Sequence, residues 1–291
     1  MILQFLHVVW PIFAIAGLGW VWRRLGQPFD EKSISAIVTY LGVPSLLLSS
    51  LSKTSVQLDV LLQTLLAGGL ALALCALGGT LILKLAKLPV RPYLPSLIHP
   101  NTGNLGLPIV FFALGEPAMP YAIAFSTLVQ VSHFTIGIWL ASGQWSWRTV
   151  LISPPLWSLI AALALIASRT PLPGWILDVT NLLGGLTVPL MLLLLGGSLT
   201  KLKLYGLGRP AWLSCVRVGL GFASGVAVAW GLGLDPVPAG ALIIQCAMPV
   251  AVFSYLFAVR YGGPSDVVAG MILISTILAL SVLPLILLVA A

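Results

Sequence analysis

Charge is what this sequence has least of. Only 7% of its 291 residues are Asp, Glu, Lys or Arg, where soluble domains carry about 25%. With 59% hydrophobic residues and a mean hydropathy of +1.09, the chain has more apolar surface than a globule in water can hide. It is built for a lipid bilayer. Cysteine is scarce too: Cys75, Cys215 and Cys246 all fall in apolar stretches, with no C-x-x-C pair and no His at metal-ligand spacing. They read as small buried hydrophobes, and neither a redox nor a metal centre is expected.

Other absences narrow the function. There is no H-E-x-x-H, no buried Asp pair and no G-x-x-x-x-G-K, which argues against an intramembrane enzyme and against ATP-driven pumping. All seven carboxylates (Asp30, Glu31, Asp59, Glu116, Asp178, Asp235 and Asp266) fall in loops or at span ends. Proton antiport through a carboxylate needs an acid at depth, so it is disfavoured. Na⁺ held by carbonyls and amides stays open, as does transport driven by gradient and potential alone. The net charge of +7 could suggest nucleic acid, but the basic residues lie singly or in pairs between apolar runs. Membrane topology explains them better, and no nucleic-acid partner is expected.

What is present is a series of apolar runs. A spanning helix needs about 20 mostly apolar residues. Ten segments meet that need, at roughly 3–22, 33–52, 58–83, 92–115, 118–142, 150–168, 174–199, 211–232, 236–259 and 264–290. No basic residue precedes the first run, and Arg23 and Arg24 follow it; a cleavable signal has the opposite polarity. Loops after odd-numbered spans carry eleven Lys or Arg, loops after even-numbered spans only Lys53 and Arg169. The positive-inside rule then puts both termini outside the cytoplasm of a cell (inner or plasma) membrane.

Two pairs of fragments look alike. "IVTYLGVPSLLLSSLS" (37–52) and "LLGGLTVPLMLLLLGG" (182–197) each carry Val-Pro, at Pro44 and Pro189; "GLPIVFFALGEP" (106–117) and "AMPVAVFSYLFAVRYGGP" (247–264) each place a Pro mid-span, at Pro108 and Pro249. The expected fold is an all-α polytopic membrane protein made of two five-helix copies, residues 1–145 and 146–291. Five is odd, so the second copy inserts upside down, the inverted repeat of secondary transporters.

The stretch "HPNTGNLGLPIV" (99–110) would be ruinous against lipid. Proline removes a helix hydrogen bond, and Gly103 and Gly106 each cost about 1 kcal/mol relative to Ala. The fourth span is therefore expected to break near 101–107, and the ninth at Pro249 beside Gln245 and Met248. Irregular backbone survives in a membrane only inside protein or beside water. Asn101, Thr102 and Asn104 can satisfy it and also meet a ligand. The N–H groups after Leu105 and after Ala247 would form an anion cradle at the midplane.

In the fifth span, Ser126, Gln130 and His133 share one helical face, which either lines a site or bonds a neighbouring helix. His99 is similarly ambiguous. Arg217, alone among basic residues, lies within a span; it either snorkels to the cytoplasmic end or joins His133 on an anion pathway.

"NTGNLGLPIVFFALG", with "AMPVAVFSYLFAVRYG" and the terminal "ILISTILALSVLPLIL", resembles the bacterial auxin efflux carrier family, related to plant PIN-formed auxin carriers and distantly to bile acid/sodium symporters. The resemblance implies ten helices with crossed, broken helices four and nine, a homodimer, and a small organic anion, auxin-like or another carboxylate, as substrate. It implies a scaffold of helices one, two, six and seven. Helices three to five and eight to ten would form a transport domain moving by elevator-like or rocking alternating access. Asn101, Asn104, Pro108, Gln245 and Pro249 would sit at the crossover, faced by residues near Pro44. A Na⁺-coupled symporter of the bile-acid type is the alternative; the buried acid of those relatives is missing here. A channel or an intramembrane enzyme is the alternative from another class.

Overall fold

The computed structural model describes residues 2–53, 58–143, 151, 154–168, 170–200 and 208–290. Arg148, Arg169, Lys201 and Lys203, used above to orient the loops, lie outside the described residues. The described chain is all-helical, and no strand occurs in it beyond one isolated bridge between Pro100 and Val250.

In chain order the helices are α1 (Ile2–Arg24), α2 (Glu31–Ile37), α3 (Val43–Lys53), α4 (Leu58–Leu85), α5 (Val90–Ile98), α6 (Leu107–Leu114), α7 (Met119–Ser132) and α8 (Ile138–Ser142). They continue as α9 (Pro154–Ser168), α10 (Gly174–Gly185), α11 (Thr187–Leu199), α12 (Gly208–Gly231), α13 (Pro236–Cys246), α14 (Phe253–Arg260) and α15 (Ser265–Ala290). Among the described residues five helical stretches, Leu58–Leu85, Glu116–Ser142, Gly174–Leu194, Gly208–Gly231 and Ser265–Ala290, are long and apolar enough to cross a membrane, and Thr102–Leu114 and Pro236–Cys246 are shorter apolar helices. This is a multi-pass membrane protein.

Proline shapes the irregularities in two ways. Pro44 and Pro108 each sit in the first turn of a helix, directly after a π turn, Val38–Gly42 before α3 and Thr102–Gly106 before α6. A proline has no N–H to return to the preceding turn, and widening that turn to a π turn absorbs the missing bond. The break expected near 101–107 is thus shifted: the chain leaves helical geometry at His99–Asn101, and Thr102–Gly106 is a π turn.

Packing falls into two sets. In one, α1 lies along α11, and α3 packs on α9 and α10; in the other, α12 packs on α4, α13 and α15, while α4 packs on α5 and α7. Contacts of α6 with α1 and α11, and of α7 with α3 and α9, join the sets. The α1–α11 seam is built on small residues. A Cβ added at Gly196 would collide with the carbonyl of Ala16, and one at Gly19 with the carbonyl of Leu193. Between membrane helices close backbone approach replaces the hydrophobic effect as the source of cohesion. Cys75 and Cys246 are buried as expected, but Cys215 is exposed on α12; α12 turns that face away from its partners, so an apolar neighbourhood in sequence did not imply burial in protein.

Candidate functional site

Two helices end against each other at the centre of the second set. Pro100 disfavours helical geometry in the residue before it, and His99 is extended (φ −99°, ψ 106°), so α5 stops at Ile98. α13 stops at Cys246, ahead of Pro249. The freed backbones run antiparallel. Asn101 N–H donates to Pro249 O at 2.7 Å, and Ala251 N–H donates to His99 O at 3.2 Å. Val250 N–H donates to Ser275 Oγ at 3.1 Å. Main-chain groups that would be bare in lipid therefore find partners in protein.

The two C-terminal ends share one cation. Arg217, from α12, is fully buried. Its Nη1 donates to Leu97 O and, at 3.2 Å, to Ile98 O; Nη2 donates to Cys246 O at 2.6 Å and Nε to Met248 O at 3.3 Å. The guanidinium fork thus caps the ends of α5 and α13 together, where helix dipoles leave partial negative charge. Neither sequence-based role for Arg217 fits this geometry: it does not snorkel, and it is not among the residues lining the cavity described next. Gly221 makes room, since a Cβ there would strike the Cys246 carbonyl.

The two N-terminal ends open on a cavity of about 70 Å³. The helix resumes at Thr102, not after Leu105 as expected, because Pro100 rather than Pro108 ends α5. Gly103 and Asn104 consequently have N–H groups with no main-chain partner among the described residues, and both line the cavity. On the other arm the break extends to Val252, so the unpaired N–H groups belong to Val252 and Phe253, further on than the position after Ala247; both residues line the cavity.

Side chains complete the wall. Asn101 is 5% exposed and its Nδ2 has no hydrogen-bond partner among the described residues; Thr127 Oγ1 is likewise buried and unpartnered among them. Ser126 Oγ donates to Thr102 Oγ1 at 3.0 Å. Gln130 and His133 lie on the same wall, while Val38, Val43 and Met191 close the cavity from the first set of helices. The His133 ring stacks on His99 with centroids 4.3 Å apart and planes 11° apart. His99 lies between Pro95 O (2.9 Å, from Nδ1) and Ser132 Oγ (3.0 Å, from Nε2).

Of the residues expected at the site, Asn101, Thr102, Gly103, Asn104, Ser126, Gln130 and His133 line the cavity. Gln245 does not; its Nε2 donates to Ala122 O at 2.7 Å, tying α13 to α7, and its Oε1 is buried with no partner among the described residues. Met248 and Pro249 act through their carbonyls, Gly106 packs against Gln245 and Met248, Pro108 is buried at the start of α6, and Pro44 stands beside the lining Val43. Sequence reasoning missed Thr127, Phe134, Met191 and Phe253. Thr127 and Phe134 adjoin the polar stripe of the fifth span and could have been added from helical spacing; Met191 carried no signal.

Among known proteins, the profile of a family described as membrane transport protein matches residues 4–144 and 138–287. An uncharacterized transporter of Methanothermobacter thermautotrophicus is 23% identical over 300 residues, spanning 96% of both chains. Another, from Methanocaldococcus jannaschii, is 24% identical over 299 residues, spanning 96% of this chain and 97% of the relative. With the family profile matching along nearly the whole length, this chain belongs to the membrane transport protein family, the family of the auxin efflux carriers that its Asn- and Gly-rich motif resembles.

Proposed function

We propose that this chain is a secondary carrier of a small organic anion, binding it in the cavity where Thr102–Leu114 and α14 begin. One observation carries the reading: two helix N-termini and the unpartnered Asn101 Nδ2 meet at the same cavity. Main-chain N–H groups and dipoles there favour negative charge, while Arg217 neutralises the opposite ends. The fifteen described helices group into ten spans in two inverted five-helix copies, 1–145 and 146–291, with both termini outside the cytoplasm in this reading. The first packing set is then the scaffold and the second the transport domain. The anion site lies between them, on the face that alternating access would move.

Na⁺ coupling is not part of this reading. The carbonyls of Leu97, Ile98, Cys246 and Met248, which a cation at the crossover would use, are occupied by the Arg217 guanidinium. Saturable counterflow of a labelled carboxylate in liposomes is the test of a carrier against a channel. Asn101→Ala should weaken carboxylate binding and counterflow together; binding and flux that both survive that change would remove the site assignment.

A further inference from the structure

An anion in this cavity meets no fixed counter-charge. No Lys, Arg, Asp or Glu is among the described lining residues, and Arg217 is engaged by the helix ends. One lining side chain can acquire positive charge. His133 is 2% exposed, its Nε2 lies 3.2 Å from Ser254 Oγ, and its Nδ1 has no hydrogen-bond partner among the described residues. Ser254 in turn lines a second cavity of about 210 Å³ with Phe257, Arg91 and Tyr261, which is open to solvent at the loop side of α5 and α14. The His133 ring therefore touches the anion cavity directly and the second cavity through one hydroxyl.

The surroundings limit how much charge the ring can hold. Arg217 lies beyond the end of α5, Arg91 and Tyr261 sit in the second cavity, and Tyr93 is turned toward Arg209 at 3.5 Å. Stacking against His99 at 4.3 Å allows the pair one proton at most, because two adjacent buried cations repel. A carbonyl only accepts, so His99 keeps its proton on Nδ1 toward Pro95 O. With Nε2 donating to Ser254 Oγ, His133 Nδ1, which has no partner among the described residues, is free to take the second proton.

We propose that His133 is a proton site coupled to the anion: the ring is neutral over an empty cavity, and a carboxylate enters together with one proton taken up on Nδ1. Burying either charge alone is costly, and burying both together cancels most of that cost. The balance is simple: one H⁺ and one monoanion leave water on one side, the loaded cavity carries no net added charge, and both are released on the other. Transport is then driven by a pH gradient and is blind to membrane potential. The inference rests on the organic-anion reading of the cavity.

The chain has three histidines, His7, His99 and His133, so ¹⁵N NMR of the histidine-labelled full-length protein in lipid bilayers can follow each ring. Spectra are taken slightly below neutral pH, alone and with millimolar acetate, lactate, benzoate or indole-3-acetate, and His133→Gln assigns the signals. The expected result is a neutral His133 alone and an imidazolium with whichever of the four raises the melting temperature. Affinity should weaken as pH rises, by up to about tenfold per unit in the wild type, and stay flat in His133→Gln. A carboxylate that binds while His133 stays neutral overturns the proton coupling and leaves the anion site standing. Binding by none of the four overturns the anion reading, and the coupling with it.

Discussion

Arg217 Nη2 donates to the carbonyl oxygen of Cys246 at 2.6 Å, and the same guanidinium reaches the carbonyls that end α5. One side chain thus holds two interrupted helices at a fixed separation and takes up the negative ends of both dipoles. The positive ends are left to face the cavity. The sidedness of the crossing is a consequence of where this cation sits.

Arg217→Gln should therefore be among the most damaging single substitutions. Hydrogen bonds to a charged donor contribute about 1.5–3 kcal/mol each, and carbonyls left bare in a water-free interior add to the loss. The expected result is a melting temperature lowered by several degrees in detergent or failure to extract folded protein. Arg217→Lys should recover only part of the loss, since an ammonium cannot span acceptors on two helices as a planar fork does.

Gly221 and Gly219 make a matched pair on α12. A Cβ at Gly221 would meet the Cys246 carbonyl, while one at Gly219 meets nothing within 4 Å. Gly221→Ala should cost about 1–3 kcal/mol by overpacking. Gly219→Ala should be neutral or stabilising by up to about 1 kcal/mol through helix propensity. Thermal unfolding of both variants under one set of conditions checks the difference.

Asn101 separates binding from folding. Its Nδ2 has no hydrogen-bond partner among the described residues, so Asn101→Ala should leave the melting temperature of the unliganded protein nearly unchanged. Loss of one hydrogen bond to a carboxylate should weaken affinity by roughly tenfold to a hundredfold. Asn101→Asp keeps the shape but puts an anion where an anion must bind, and it should abolish binding. Isothermal titration with the best carboxylate from a thermal-shift screen measures both.

Replacing Na⁺ by K⁺ on both sides of a proteoliposome should change carboxylate uptake by less than about twofold, because Arg217 already supplies the positive charge at the helix ends. Uptake that collapses without Na⁺ would mean that a cation site exists elsewhere in the transport set.

Much of this was legible in the sequence, for definable reasons. Spans were readable because lipid demands long apolar runs: five of the candidate spans fall on described helical stretches long and apolar enough to cross a membrane. The polar wall was readable because Asn101, Thr102, Asn104, Ser126, Gln130 and His133 are too polar to face lipid. Two things were not. Whether a proline breaks a helix or only widens a turn depends on its neighbours: Pro108 follows residues free to form a π turn, whereas Pro100 stands opposite Val250, whose strand-like pairing stabilises the extended form. The role of Arg217 was hidden because its partners are main-chain carbonyls on distant segments, which leave no mark in side-chain patterns.

Experimental density for the protein in a lipid nanodisc, with a bound carboxylate, tests the central claim most directly. The account predicts helix interruptions at 99–101 and 247–252, with the carboxylate between them, in reach of Asn101 Nδ2 and the Asn104 N–H. Continuous helices through both segments, or a carboxylate bound away from these N-termini, would contradict it.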